Sequence, residues 1–285
     1  MTRVCVVGSM NMDIGFDVDQ LPRPGETTLA ISARSTPGGK GANQAVAAAR
    51  AGALVQFVGA VGDDAAAALL RDHLTTNGVG TDRLLTVAGP SGNAAVIVDS
   101  SGENIIVVAP GANGKLTPDS AALRGFAADC DVLLLQLEIP VATATAAARR
   151  AHSAGVTVML NASPSGGDEA ELAQLADLTD VLVVNETEAA QWVWPVKHRV
   201  TTLGARGASY TGDGTEFTVD APAVDALDTS GAGDVFAGVL AAGWALDRHD
   251  ALRRACAAGA LATLTPGAGD CAPYAAAIDD ATLAG

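Results

Sequence analysis

The stretch Asp228-Thr-Ser-Gly-Ala-Gly-Asp234 runs directly into the apolar segment Val235-Phe-Ala-Gly-Val-Leu-Ala-Ala-Gly243, which predicts a helix from Gly233 to Ala245. Glycines at positions 231 and 233 let the backbone approach a ligand closely. The first N–H groups of the helix and the positive end of its dipole would face that ligand. The stretch therefore predicts an anion site, built from backbone groups, where a glycine-rich loop enters a helix.

Segments that read as strands and helices alternate on both sides of this stretch. Continuous apolar runs predict buried strands, at 3–8, 54–61, 132–137, 157–161, 181–184 and 200–203. Helix-forming runs separate them, at 42–51, 63–77, 141–154, 169–176, 186–194 and 250–263. Repeated strand–helix units with apolar strands imply a parallel sheet covered on both faces. The sequence thus predicts an α/β protein with three layers, α/β/α, around a mostly parallel central sheet.

Two further regions have the pattern of short antiparallel strands. Residues 13–37 are punctuated by Pro22, Pro24 and Gly25, and residues 93–108 contain the turn Asp99-Ser-Ser-Gly102. We expect them to form a small β-sheet that covers one edge of the main sheet as a lid. With no linker or internal repeat, residues 1–285 are predicted to form one domain.

The composition excludes several classes of protein. The chain is 49% hydrophobic and 17% charged, which is not the profile of a disordered protein. Its net charge of −15 argues against nucleic acid and anionic membrane surfaces as partners. No apolar run is long enough to cross a bilayer, and the first 13 residues do not read as a secretory signal. Four cysteines without CxxC spacing favour a reducing cytoplasm over a disulfide or zinc scaffold.

Asp234 begins the helix after the glycine-rich loop and has two possible roles. A carboxylate there can accept the proton of a hydroxyl that attacks phosphorus, beside the anion site. Aspartate is also favoured as a helix cap, which would be a purely structural role. The flanking glycines and Asp228, six residues earlier, favour the catalytic interpretation.

Two polar segments in the first fifth of the chain are suited to binding a polyol. Gly38-Gly39-Lys40-Gly41 precedes a helix whose first turn adds Asn43 and Gln44, but it lacks the spacing of a Walker A loop. Asn11 and Asp13 follow a buried strand and project to the same side if the chain is extended. An ordinary glycine turn and ordinary turn chemistry are the alternatives for these two segments.

Three polar segments follow predicted strands at the edge where open α/β sheets bind ligands. Glu138 follows the strand that begins at Val132. Asn185 and Glu188 are spaced to share one face of a helix, where they would face magnesium through water or remain solvated side chains. Residues 202–207 (Thr-Leu-Gly-Ala-Arg-Gly) form a strand-to-glycine turn suited to contacting phosphates through the backbone.

Together, these segments resemble the ribokinase-like (PfkB-type) family of sugar kinases. The chain contains GGKGANQA at 38–45 and DTSGAGDVFAG at 228–238, the two signatures of the family. It also contains matching segments, in the family's order, at 8–13, 102–113, 185–189 and 202–207. Several separated motifs in the correct order are more specific than any single glycine loop.

The resemblance implies a role for each matching position. The implied sugar-binding set is Asn11, Asp13, Gly39, Lys40, Asn43, Glu138 and Asp234. Asp234 would be the general base, and Gly231, Ala232 and Gly233 would form the anion hole. The implied nucleotide set, with Mg²⁺, is Asn185, Glu188, Thr202, Leu203, Gly204, Ala205, Arg206, Gly207, Gly233 and Cys256. A potassium or other monovalent cation would be held by Asp228, Ser230, Ala262, Thr265, Gly267 and Cys271.

The implied reaction is transfer of the γ-phosphoryl group of ATP to O5 of D-ribose, giving D-ribose 5-phosphate and ADP, by a homodimer that associates through the lid. The alternatives are a kinase for deoxyribose, fructose or a nucleoside such as adenosine, or a sugar-binding paralogue with weak or no turnover. The chain departs from the family between Asn185 and Thr202, where only 16 residues replace a longer stretch. Either the sheet lacks a strand there or the connection is abrupt.

Overall fold

The computed structural model describes residues 1–284, so Gly285 of the predicted domain lies outside the described residues. The strands are β1 (Arg3–Val7), β2 (Asn11–Asp17), β3 (Ser32–Gly38), β4 (Leu54–Val61), β5 (Gly80–Thr86), β6 (Gly92–Val98), β7 (Asn104–Ala109), β8 (Val132–Leu135), β9 (Thr157–Asn161), β10 (Val181–Asn185), β11 (His198–Thr202), β12 (Ala208–Gly212) and β13 (Thr215–Val219). The α-helices are α1 (Lys40–Arg50), α2 (Ala65–Thr76), α3 (Val141–Ser153), α4 (Glu169–Ala176), α5 (Glu186–Gln191), α6 (Ala232–Trp244), α7 (Arg248–Ala262) and α8 (Ala275–Ala284).

The central sheet has nine strands in the order β13-β12-β11-β10-β9-β8-β1-β4-β5. In this order, every strand from β11 through to β5 pairs parallel with its neighbours. The hairpin β12–β13 continues the sheet, with β12 antiparallel to β11. Successive strand residues point to opposite faces, so Val6 and Leu134 pack beneath α1 and α6 while Val7 and Leu135 pack beneath α3. This arrangement confirms the predicted three-layer fold.

The second sheet has four strands in the order β3-β2-β6-β7, which confirms the small sheet predicted from residues 13–37 and 93–108. Strand β2, one of the two inner strands, pairs antiparallel with β3 and parallel with β6, so that Asn11 lies opposite both Gly38 and Gly92. Because β2 follows directly from the loop after β1, the small sheet is attached at the carboxyl edge of the central sheet.

The structure differs from the sequence-based prediction at two ends of the central sheet and at the carboxyl-terminal end of the described chain. β5 was not predicted, because Gly80–Thr86 has neither clean alternation nor a continuous apolar run. α8 was also not predicted. The glycine-rich hairpin predicted after β11 is formed by β12 and β13, and it extends the central sheet at its other end.

The connection after Asn185 is abrupt. α5 ends at Gln191 rather than Trp194, because Pro195 disfavours helix at the residue before it. Trp192 turns into the core and packs edge-on against Trp194, with ring centroids 5.1 Å apart. β11 then pairs in register with β10, with Val200 opposite Val183, so the sheet keeps this strand.

None of the helices within residues 1–284 combines the length and the apolar character required to cross a membrane.

Candidate active site

Three acidic side chains and one lysine meet where the small sheet joins the carboxyl edge of the central sheet. Asp13 on β2, Glu138 after β8 and Asp234 on α6 are close enough for their charges to interact. Burial, together with the charges of Glu138 and Asp234, raises the pKa of Asp13 to about 7. The pKa of Lys40 is also raised, chiefly because the Asp234 carboxylate favours the charged ammonium group, and burial opposes this effect. We call these four residues the acidic cluster.

The start of α1 is held against the loop that follows β1. Glu138 Oε2 accepts hydrogen bonds from the Ser9 hydroxyl at 2.6 Å and from the Lys40 backbone N–H at 3.1 Å. Gly39 precedes α1 with a φ of 90°, and a Cβ there would lie 2.8 Å from the backbone N of Asn11. Glycine at position 39 therefore lets the start of α1 approach the backbone of Met10 and Asn11 closely, which an ordinary solvent-exposed turn would not require.

Asn11 faces the same corner and is oriented by a residue that sequence reasoning missed. Asn113 donates from Nδ2 to Asn11 Oδ1 at 2.7 Å and accepts the backbone N–H of Met10 at 3.0 Å. Within residues 1–284, the buried oxygens Asp13 Oδ1 and Asn43 Oδ1 have no hydrogen-bond donor. Buried acceptors of this kind are satisfied when hydroxyl donors of a ligand reach them.

Asp234 lies in the first turn of α6 and is 7% exposed. Its Oδ2 accepts a hydrogen bond from Asn43 Nδ2 at 3.1 Å, and its Oδ1 accepts one from Gln44 Nε2 at 3.0 Å. The N-cap of α6 is Gly231, and no side chain caps this helix. The capping interpretation of Asp234 is therefore wrong, because its carboxylate faces α1 rather than the end of its own helix.

A buried amide network fixes Gln44. Its Nε2 also donates to Asn161 Oδ1 at 3.0 Å, and its Oε1 accepts Gln136 Nε2 at 2.7 Å. Gln136 and Asn161 were not predicted as site residues, since a single amide at the end of an apolar strand is not a recognisable motif. The network restricts the orientation of the Gln44 side chain that holds Asp234.

The backbone turn at Gly231, part of the predicted anion hole, packs tightly against Ala268. Gly231 has a φ of 77°, and a Cβ there would lie 2.8 Å from Ala268 Cα. The Ala232 N–H donates to the Thr229 carbonyl oxygen at 3.3 Å, so this group of the predicted trio already has a partner. The next N–H groups, of Gly233 and Asp234, lie in the first turn of α6, where N–H groups have no partner within the helix.

A cleft of about 510 Å³ opens beside this turn. Of the predicted nucleotide residues, those that line it are Thr202, Gly204, Ala205, Gly207, Gly233 and Cys256. Leu203 is absent from the lining, and Arg206 instead contacts Glu186 at 2.6 Å. Burial, with a smaller effect from Asp220, raises the pKa of the Cys256 thiol to about 12, so it is a neutral part of the lining.

Sequence reasoning missed the rest of the cleft lining. It consists mainly of small and apolar residues, which are Ala221, Pro222, Ala223, Val224, Ala226, Phe236, Gly259 and Ala260. These residue types carry no chemical signal in a sequence. An apolar slot of this kind, beside backbone N–H groups, suits a flat aromatic ring attached to an anionic group.

Asn185 and Glu188 lie outside the cleft lining and form a capping box. The Asn185 side chain accepts the Glu188 N–H at 2.8 Å, and Glu188 Oε2 accepts the Asn185 N–H at 2.9 Å. Sequence reasoning did not foresee this contact. The charge of Glu188 nevertheless makes a small contribution to the raised pKa of Lys40, so Glu188 lies close enough to act on the acidic cluster.

The residues predicted to hold a monovalent cation come from the loop before α6 and from the end of α7 with the loop after it, and these two segments contact each other. Asp228 accepts the N–H groups of Ser230 and Gly267, each at 2.8 Å. Burial alone would raise the pKa of Asp228, but these two hydrogen bonds, together with the Ser230 side chain and the charge of Arg34, outweigh it and the pKa is lowered. The Cys271 thiol donates to the Ala268 carbonyl oxygen at 3.4 Å, and burial raises its pKa to about 11.

This chemistry fits a hard monovalent cation better than a transition metal. Within residues 1–284, no group of three or more histidine, cysteine or acidic side chains could hold a metal ion. The predicted residues instead provide one carboxylate, two hydroxyls and backbone carbonyl oxygens, which are hard donors. A neutral thiol that donates its own hydrogen is the poorest ligand of the six predicted residues.

The pfkB family carbohydrate kinase model matches residues 1–275. The chain therefore belongs to the pfkB family of carbohydrate kinases. It is 38% identical over 283 residues to a protein of Bacillus subtilis (strain 168) named ribokinase, an alignment that covers 94% of this chain and 95% of that protein. The structure of Thermotoga maritima ribokinase superposes with a TM-score of 0.90, at 30% identity and complete coverage of both chains. The structure of Arabidopsis thaliana ribokinase with ribose and ATP superposes with a TM-score of 0.89, at 31% identity and 99% coverage of both chains.

Proposed function

We propose that the protein transfers the γ-phosphoryl group of ATP to O5 of D-ribose, giving D-ribose 5-phosphate and ADP. One observation carries this proposal: Asp234 belongs to the acidic cluster, where the buried oxygens of Asp13 and Asn43 have no donor, and it directly follows Gly233, which lines the apolar cleft. A carboxylate in that position faces a bound polyol on one side and the terminal phosphate of a nucleotide on the other. The similarity to ribokinases, one of them solved with ribose and ATP, supports this assignment.

The sugar is bound by Asn11, Asp13, Gly39, Lys40, Asn43 and Glu138 in this proposal. Their hydrogen-bonding groups orient the sugar, and Asp234 accepts the proton of the 5-hydroxyl as its oxygen bonds to the γ-phosphorus. The bond between that phosphorus and the β,γ-bridging oxygen breaks, and ADP leaves. Phosphoryl transfer depends mainly on positioning and charge neutralisation, which these groups supply.

The charge that develops on the transferred group is offset by the backbone N–H groups of Gly231, Gly233 and Asp234 and by Lys40. ATP carries Mg²⁺, whose chemistry is to neutralise phosphate charge, and Asn185 and Glu188 would hold this ion through water. A monovalent cation beside Asp228 would supply positive charge behind the anion hole. The small sheet acts as a lid that keeps water from accepting the phosphoryl group.

We also propose that two copies associate through the small sheet. β7 is an edge strand on which Ile105, Ile106, Val107 and Val108 are all exposed. An exposed apolar edge strand pairs readily with a second strand. A two-fold axis lets the same edge strand of both copies pair with each other.

The function is tested by measuring ADP release with D-ribose, 2-deoxy-D-ribose, D-fructose and adenosine, with and without Mg²⁺ and K⁺. We expect the highest kcat/KM with D-ribose, and transfer of ³²P from γ-labelled ATP to the 5-position. A higher kcat/KM with another acceptor would replace the substrate assignment. Ribose binding by calorimetry without ADP release would favour the sugar-binding paralogue.

A further inference from the structure

The loop at 264–272 supports the predicted anion hole from behind. Its Ala268 is the residue against which Gly231 packs, and its Gly267 N–H donates to Asp228 Oδ2 at 2.8 Å. The backbone at Gly269 lies against the Pro37 carbonyl oxygen at the end of β3. The position of this loop therefore restricts where the Gly231 turn can lie.

Arg50, in the last turn of α1, holds the far end of this loop. Its Nη1 donates to the carbonyl oxygens of Asp270 at 3.0 Å and Ala272 at 2.8 Å, and its Nη2 donates to Asp270 Oδ1 at 3.3 Å. Its Nε donates to Asn77 Oδ1 at 2.8 Å, and its guanidinium lies 5.0 Å from the centre of the Tyr274 ring. The Arg50 side chain is only 11% exposed, although its partner Asp270 is 67% exposed, so the guanidinium group itself is largely shielded from solvent.

The same helix holds the candidate base at its other end. Asn43 and Gln44 in the first turns of α1 donate to the Asp234 carboxylate, and Arg50 in the last turn binds the loop behind Gly231. A helix of this length spans about 16 Å as a rigid unit. α1 thus connects the base and the backing of the anion hole through one element.

We propose that Arg50 is a positioning residue for phosphoryl transfer, acting through the loop at 264–272 on the N–H groups of the Gly231 turn. The inference rests on the proposed function. Arg50 contacts no residue of the acidic cluster, so its loss leaves sugar binding intact. A shifted turn would stabilise the transferring group less in the transition state, and misplacement by about 1 Å can cost on the order of 10²-fold in rate.

The test compares Arg50→Ala and Arg50→Lys with the matched control Arg83→Ala. Arg83 also donates from its guanidinium to two loop carbonyl oxygens, of Ala122 at 3.1 Å and Arg124 at 2.6 Å, but that loop supplies none of the candidate site residues. For Arg50→Ala we expect kcat to fall by roughly 10- to 100-fold with the KM for ribose within about twofold. Arg50→Lys keeps the charge, so its kcat should fall less than that of Arg50→Ala. Added guanidinium ion should partly restore the kcat of Arg50→Ala. Arg83→Ala should keep the kcat of the parent protein.

Hydrogen–deuterium exchange supplies a readout that does not depend on turnover. We expect faster exchange at 264–272 and at the Gly231 turn in Arg50→Ala, and unchanged exchange at both segments in Arg83→Ala. Unchanged exchange at the Gly231 turn, or an unchanged kcat, would overturn the inference. If Arg50→Ala does not fold, the decision falls to Arg50→Lys, and normal kcat and exchange there would reject the role. If the proposed function is wrong, the parent protein will release no ADP with D-ribose. The exchange measurement would then still decide whether Arg50 holds the Gly231 turn.

Discussion

Gln44 Nε2 donates a hydrogen bond of 3.0 Å to Asp234 Oδ1, although the two residues are 190 positions apart in the chain. With the second bond from Asn43, each carboxylate oxygen of Asp234 accepts one side-chain amide. The carboxylate is therefore oriented before any ligand arrives. Such preorganisation lowers the cost of reaching the reactive geometry.

Gln44→Leu tests this orientation, because leucine has a similar size and donates no hydrogen bond. We expect kcat to fall by about 10-fold or more, since a hydrogen bond to a charged group contributes about 1.5–3 kcal/mol. The KM for ribose should change little. Gln56→Leu is the control, since Gln56 bonds a backbone carbonyl of β5 instead. Equal losses in both variants would show that the effect is one of general stability.

Asp234→Asn removes the proton acceptor and keeps the shape of the side chain. Loss of a general base typically costs about 10²- to 10⁴-fold, so we expect kcat to fall at least 100-fold. Calorimetry should show ribose binding nearly intact, because the sugar contacts of the other residues remain. Turnover close to that of the parent protein would remove Asp234 from the role of base.

Asp13 should make ribose affinity depend on pH. Its pKa is raised to about 7, so the empty site is largely protonated at pH 6, while hydroxyl donors of a bound sugar favour the charged form. Binding should then release a proton below pH 7, and affinity should fall as the pH drops from 8 to 6. Calorimetry in buffers of different ionisation enthalpy measures this release.

Asp13→Asn is the matched control, and it should abolish both the proton release and this pH dependence. The same pKa predicts an effect on stability. A carboxyl whose pKa is raised on folding contributes stability that is fully present below its unfolded pKa, near 4, and is lost as the pH rises through about 7. Asp13→Asn should therefore raise Tm relative to the parent protein at pH 8 more than at pH 5. A constant difference in Tm would show that Asp13 is ionised throughout.

Cys256→Phe should narrow the cleft beside the Gly233 turn. We expect the KM for ATP to rise by about 10-fold, equivalent to about 1.4 kcal/mol, with the KM for ribose unchanged. Cys256→Ala, which adds no bulk, should leave both constants within about twofold of the parent values. An unchanged KM for ATP in Cys256→Phe would place the nucleotide elsewhere.

Val107→Lys should disrupt the proposed homodimer, because it places a charge on the exposed edge strand β7. Light scattering after size exclusion should show a dimer for the parent protein and a monomer for this variant. Leu246→Lys, at another exposed apolar position, should remain dimeric. A monomeric parent protein at micromolar concentration would contradict the proposal.

The motifs around glycine predicted the site better than isolated polar residues did. Gly39 and Gly231 have positive φ angles and pack against distant backbone, so glycine itself marks the close approach. No sequence pattern identifies Gln136, Asn161 and Asn113, because the role of an amide depends on its hydrogen-bond partner in the folded structure. The Asn185 and Glu188 spacing was ambiguous, since the same pattern suits a capping box and a ligand site.

The sequence by itself determined the alternation of strands and helices, the second sheet and the order of the glycine-rich loops. These features follow from apolar periodicity and backbone preferences, which act over a few residues. Only the tertiary structure decided that α1 connects Asp234 at one end with the loop held by Arg50 at the other, and that small and apolar residues line the cleft. Those contacts join residues far apart in the chain, and their energies depend on burial and distance, which no local pattern records.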